Sequence, residues 1–245
     1  MIPKVIHYCW FGGKPLPESA LKCIASWRRF LPDYEIKEWN ESNFDINAIP
    51  YTSEAYNAKK YAFVSDYARF KILYENGGLY FDTDVEVIKT IDDIIERGPF
   101  MGFEVDADKE NKGVNPGLGL AATSNMKIYK DIIDSYTARH FINADGSFNE
   151  TTIVKYTTDI LIRHGLDNCP GIQIIDGINI YPAEYFNPLD SNTGKLRKTH
   201  NTRTIHWYAK TWYSESRLRT FISRTLHRIF GVRLTSALHN FLSGK

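Results

Sequence analysis

The period of apolar and polar positions changes several times along the chain. Residues 4–10 (KVIHYCW) read as a strand buried on both faces. Pro15 and Pro17 punctuate the next loop, and residues 18–30 place apolar side chains three and four apart, which predicts an amphipathic helix. Residues 34–39 return to a strand pattern. This strand–helix–strand opening implies a parallel α/β sheet whose ligands gather at the carboxyl ends of the strands. Trp10, Phe11, Gly12 and Gly13 fall at that edge. Residues 53–75 predict a long helix stopped at Asn76-Gly77. Residues 79–81 (LYF) form a short apolar strand, and residues 85–88 (VEVI) resume strand alternation. A helix ended by Gly98-Pro99, a strand over 100–104 and a polar surface loop over 106–113 follow. Helices are expected at 125–140 and 151–164, a hairpin over 172–181 turning at Asp176-Gly177, a loop at 185–188, and a last strand over 204–207.

Asp82 and Asp84 interrupt this pattern where uncompensated charge is costly. If the backbone turns there, both carboxylates can face one hard cation. Oxygen ligands suit Mn²⁺ or Mg²⁺ better than Zn²⁺, and such ions keep waters and take further ligands from phosphate. Arginine or solvent would compensate the charge equally well. Asp66 and Arg69 stand three apart and so share a helix face, one that also carries Ala62 and Leu73. They form either an intrahelical ion pair or part of a site. The glycines of Asn115-Pro116-Gly117-Leu118-Gly119 suggest backbone close to a ligand, with Asn115 able to hydrogen-bond it; an ordinary loop is the other reading.

Composition narrows this little. At 245 residues the chain has room for one domain and an appendage, and a net charge of +1 gives no argument for nucleic acid. Cys9, Cys23 and Cys169 form no metal-type spacing and leave an odd count, which favours a reduced, cytosolic setting. No signal peptide and no membrane-spanning run is expected. From Arg217 onward there is no Asp or Glu, and Arg217, Arg219, Arg224, Arg228 and Arg233 alternate with Leu and Phe. We therefore divide the chain into a globular domain, 1–212, and a basic amphipathic helical tail, 213–245, suited to an anionic membrane surface or to packing on a partner.

Three motifs in order resemble one family: residues 2–12 (IPKVIHYCWFG), the Ser65-Asp66-x-x-Arg69 helix, and Gly77-Gly78-x-Tyr80-x-Asp82-x-Asp84. Together they are similar to the DXD-sugar glycosyltransferases. That family includes yeast-type mannosyltransferases, bacterial capsule and lipopolysaccharide glycosyltransferases and, more distantly, the clostridial glucosylating toxins. The resemblance implies an α/β, GT-A type fold: Rossmann-like, with a mostly parallel central sheet flanked by helices. It implies that Trp10 stacks on the base of a nucleotide-diphosphate sugar, although a core aromatic would look the same. Asp66 and Arg69 would contact the donor sugar and a phosphate. A segment His206-x-x-x-Lys210-x-Trp212 is similar to the closing segment of retaining, metal-dependent transferases, in which the His joins Asp82 and Asp84 on the metal and the Lys meets the diphosphate. Imidazole favours Mn²⁺ over Mg²⁺.

The expected activity is retaining transfer of a hexose from UDP-galactose or UDP-glucose to a saccharide or lipid-linked oligosaccharide, at the inner face of a bacterial membrane. GDP-mannose as donor and a toxin-like protein acceptor are alternatives. A phosphodiesterase would need a second metal or base, and a non-catalytic sugar-binding module would have no need of the Asp66, Arg69, Asp82 and Asp84 set.

Overall fold

In the computed structural model, which describes residues 1–209, the chain opens with β1 (Val5–Cys9), α1 (Glu18–Phe30) and β2 (Glu35–Trp39). β1 is flanked by parallel partners, β2 in register Val5 to Glu35 and β3 (Gly78–Tyr80) in register His7 to Tyr80. An eight-stranded sheet continues outward in the order β2-β1-β3-β7-β5-β9-β8, adding β5 (Phe100–Val105), β7 (Leu120–Ala122), β8 (Gln173–Ile175) and β9 (Ile178–Tyr181), with β6 (Gly113–Val114) on the side of β5. β1, β2, β3, β5 and β9 share one direction and β6, β7 and β8 oppose it. The sheet is therefore mostly parallel. The Asp176-Gly177 turn, with both residues at positive φ, closes the β8–β9 hairpin as the sequence predicts.

One face of the sheet packs against α2 (Pro50–Asn57), α3 (Tyr61–Asn76), α5 (Lys127–Thr137) and α6 (Ile153–Arg163). The other carries α1 and a separate two-stranded sheet of β4 (Val85–Val87) and β10 (Thr204–His206). α1 starts just after Pro17 and turns Ala20, Cys23, Ile24 and Trp27 inward. Trp27 is fully buried against Phe81 and donates its indole N–H to the Val85 carbonyl at 2.7 Å. Burying an aromatic of that size contributes on the order of 2–3 kcal/mol.

Three expectations change. The long helix over 53–75 is two helices. Pro50, whose fixed φ suits a first turn, starts α2 early, and Lys59 at φ 59° ends it by taking its N–H to the Tyr56 carbonyl. The runs on either side of Asp82 and Asp84 are not one interrupted strand: β3 belongs to the large sheet and β4 to the small one. Residues 185–188 begin inside a short turn of helix, α7 (Ala183–Phe186), and α4 (Asp92–Ile95) is likewise a single turn. The tail over 213–245, with Lys210 and Trp212, lies outside the described residues.

His7 sits buried at the centre of β1. One ring nitrogen, Nε2, meets the Gly77 carbonyl at 3.0 Å, and Nδ1 lies 3.0 Å from the donating Trp39 indole N–H. Both contacts are satisfied by neutral imidazole, and burial lowers its pKa from 6.5 to about 4. Below pH 6.5 the unfolded chain takes up a proton that the folded chain refuses, so this residue's contribution falls as pH drops from 6.5 towards 4. Denaturant titrations should show the stability of the wild type relative to His7→Gln falling by about 3 kcal/mol as pH drops across that window. A flat difference would sink the assignment.

Candidate active site

The site forms at the edge where β1 and β3 end. Because the two strands are parallel and paired at His7 and Tyr80, Trp10 and Asp82 leave the sheet on the same side. Trp10 continues the ladder, donating its N–H to the Trp39 carbonyl, and its half-buried indole donates to the Lys14 carbonyl at 2.6 Å. Beyond it Gly12 takes φ 95°, and a Cβ there would collide with the Tyr61 ring.

α3 delivers Arg69 under this edge. Its side chain is 4% exposed, with Nη2 2.9 Å from Asp66 Oδ1 and 3.2 Å from Asp82 Oδ1. Its guanidinium lies over the Tyr80 ring, 5.0 Å from the centroid, and Tyr80 donates its hydroxyl to Asp82 at 3.1 Å. Helical spacing alone joins Asp66 to Arg69; the β3 turn brings in Asp82. The Val85 N–H bonds back to the Asp82 carbonyl at 3.0 Å, which is the turn that puts both aspartates on one side.

Asp84 is engaged from the far end of the chain. β10 pairs with β4 so that His206 lies opposite Val85. His206 Nε2 then stands 3.1 Å from Asp84 Oδ1, while the Ala209 N–H donates to Asp84 Oδ2 at 2.8 Å. Asn115 also reaches the site. Its carbonyl oxygen accepts the Gly117 N–H at 2.7 Å, and its amide donates to Glu104 at 3.1 Å. Gly117 lies so close over Asp82, Asn115 and Arg69 that a Cβ would collide with Asp82 Oδ2. The structure thus gathers Asp66, Arg69, Asp82, Asp84, Asn115 and His206 at one edge, with Trp10 on the adjoining strand end.

Sequence reasoning missed Glu104 and Tyr208. The Tyr208 hydroxyl donates to Glu104 at 2.9 Å and contacts Asn187 at 3.0 Å, and its ring lies 4.1 Å from that of His206. A carboxylate closing the apolar run FMGF was the available signal for Glu104; Tyr208 had none.

The two aspartates are electrostatically unlike. Burial pushes Asp82 up, only partly opposed by Arg69, and the neighbouring Asp84 charge adds to the rise. Asp84 is also buried, but His206 and the Ala209 N–H outweigh that and hold its carboxyl below the usual range. His206 is raised in turn, because Asp84 overcomes the effect of its burial. Burial lifts Asp66 to about 7 despite Arg69.

Among the described residues no group of three or more His, Cys, Asp or Glu side chains is arranged to hold a metal by itself. Asp84 and His206 nevertheless fit an open site. They supply one carboxylate and one imidazole in contact, and the buried His206 Nδ1 has no hydrogen-bond partner among the described residues. Asp82 adds a second carboxylate across the turn. A cation that keeps waters and takes phosphate oxygens needs no more protein ligands than these.

Residues 17–101 match the family described as "Glycosyltransferase sugar-binding region containing DXD motif". Over 198 residues, 76% of each chain, the protein is 25% identical to an uncharacterized glycosyltransferase, L373, of Acanthamoeba polyphaga mimivirus. It is 32% identical over 102 residues to inositol phosphoceramide mannosyltransferase 3 of Schizosaccharomyces pombe, a match covering 38% of this chain and 27% of that one. The structure of mouse xyloside xylosyltransferase 1 superposes with a TM-score of 0.52 at 11% identity, over 86% of this chain and 99% of that one, which shows a shared fold. The fold is the GT-A α/β fold, and over residues 17–101 the chain is similar to the DXD-bearing sugar-binding region of glycosyltransferases.

Proposed function

We propose that this chain moves a hexose from a nucleotide-diphosphate sugar, UDP-galactose or UDP-glucose, to a saccharide acceptor of a bacterial capsule, exopolysaccharide or lipopolysaccharide, with retention at the anomeric carbon. The observation that carries this is the convergence of a buried arginine and an Asp–His pair on the single turn between Asp82 and Asp84. Asp82, Asp84 and His206 would hold Mn²⁺ or Mg²⁺, which when bound supplies Lewis-acid stabilisation of the charge growing on the leaving diphosphate. Arg69 orients a phosphate oxygen with the fork geometry that suits it, and Asp66 accepts from a sugar hydroxyl. Trp10 offers an aromatic face to the base at the adjoining strand end. Lys210, next in the chain after Ala209, would supply positive charge for the diphosphate, and Trp212 would supply a second aromatic side chain.

A second reading, GDP-mannose as donor, is supported by the likeness to a protein named as a mannosyltransferase. A thermal-shift screen separates the two. UDP with Mn²⁺ should raise the melting temperature by several degrees and GDP should not; at a hundred times Kd a ligand adds about 2.7 kcal/mol. Equal and negligible shifts with every nucleotide, with and without metal, would remove the proposal.

The basic tail supports work at the cytoplasmic face of a membrane. No described helix is long and apolar enough to cross one. Sedimentation with phosphatidylserine vesicles but not with phosphatidylcholine vesicles is the expected result, and equal partitioning would argue for packing on a partner instead.

A further inference from the structure

We propose that the acceptor saccharide occupies a groove at the ends of β5 and β9, and that this groove takes a neutral or amino sugar in preference to an acidic one. The inference rests on the transferase reading above and names the acceptor side of the same site. β5 and β9 run in the direction of β1 and β3, so their carboxyl ends open on the edge that holds Asp82 and Asp84. In sheets of this kind ligands collect along that edge. The 106–109 turn leaves β5, and Pro182 and Glu184 follow β9. With Pro170-Gly171 they enclose a cavity of about 390 Å³, within the size range of small-ligand sites. A second hollow of about 310 Å³ shares Ala107, Asp108 and Lys109, so the groove continues past the turn for a longer acceptor.

Placement joins the groove to the reacting centre. β5 stands two strands from β3 in the sheet order, roughly 10 Å at about 4.8 Å per strand. Glu104, two residues before Asp106, is held by Asn115 and Tyr208, the first bonded to Gly117 above Asp82 and the second with its ring tilted against that of His206. Glu104 thus ties the strand that ends at the groove to the residues around the metal-binding turn.

The lining states the ligand class. Pro170, Pro182 and Phe103 offer apolar surface for the faces of a sugar ring. Among the described residues, Asp106, Asp108 and Glu184 offer three carboxylates to this hollow and Lys109 one cation, which pairs with Asp108 at 2.6 Å, while the second hollow adds Glu110 and Lys112. Asp106 is fixed by accepting the Ala183 N–H at 2.7 Å, and Glu184 by accepting from the Asn201 amide at 2.8 Å. Preset carboxylate oxygens suit hydroxyl and ammonium donors and repel a uronate.

Saturation-transfer NMR tests this with lactose, methyl β-galactopyranoside and methyl galacturonide, each added to protein saturated with UDP and Mn²⁺. The two neutral glycosides should bind at least tenfold more tightly than the galacturonide. Asp108→Trp, at an exposed position, should fill the groove and weaken lactose binding tenfold or more while the UDP-induced thermal shift stays as in the wild type. Glu184→Lys should narrow or reverse the discrimination against galacturonide. Unchanged lactose affinity in Asp108→Trp, equal affinity for the uronide, or no binding of either neutral glycoside would each overturn the groove assignment with the donor site intact. Loss of the UDP shift in the wild type would instead overturn the transferase reading on which it rests.

Discussion

Asp84→Asn should lower kcat/KM for the nucleotide sugar by about 10²–10³, the magnitude seen when one group that stabilises developing charge is removed. The substitution keeps the shape of the side chain and can still accept the Ala209 N–H, so the fold should survive. What it removes is the charge. Asp84 is the carboxylate that the site keeps ionised, its pKa held down by His206 and a backbone N–H against the effect of burial. Asp82 is pushed the other way. A pair whose environments drive them apart assigns the metal-bearing charge to the depressed member. Steady-state rates at saturating Mn²⁺, together with a melting curve, decide the matter. Activity within threefold of the wild type would remove Asp84 from the metal site.

Arg69→Met should cost more in stability than any other single change at the site. It leaves the buried carboxylates of Asp66 and Asp82 without their shared cation, and breaking a buried pair by removing one partner costs about 3–5 kcal/mol. For a chain of this size that is a drop of roughly 10 °C in melting temperature. The pH dependence identifies the cause. Burial already lifts Asp66 to about 7, above its unfolded value of 3.8, so the folded state binds the extra proton between those limits. Stability then falls as pH rises through that window, and more steeply without Arg69. The loss in Arg69→Met should therefore be smaller at pH 5 than at pH 8. An equal loss at both would mean that packing on Tyr80, rather than charge, is what Arg69 supplies.

The two variants act on different parts of one device. Asp66 and Arg69 come from a helix, Asp82 and Asp84 from a turn between two sheets, and His206 from a strand more than a hundred residues later. The helical pair was readable because a spacing of three is a contact on any helix. The acidic turn was readable because charge interrupted an apolar pattern. His206 stood out by its resemblance to a known closing segment, whereas Glu104 carried only a weak signal and Tyr208 none. Lys59 shows the limit at the level of the elements: nothing in its own chemistry announces the left-handed residue that divides the helix over 53–75.

By itself the sequence determined where most of the strands and helices lie, that they build an α/β sheet, and which few polar residues break its apolar runs. These follow from local periodicity, which each segment carries within itself. Only the tertiary structure decided that Arg69 serves two carboxylates, that β4 leaves the main sheet to pair with β10, and that Glu104 and Tyr208 stand beside His206. Those contacts join residues from 13 to more than a hundred positions apart, and no local pattern records a partner that only chain closure brings near.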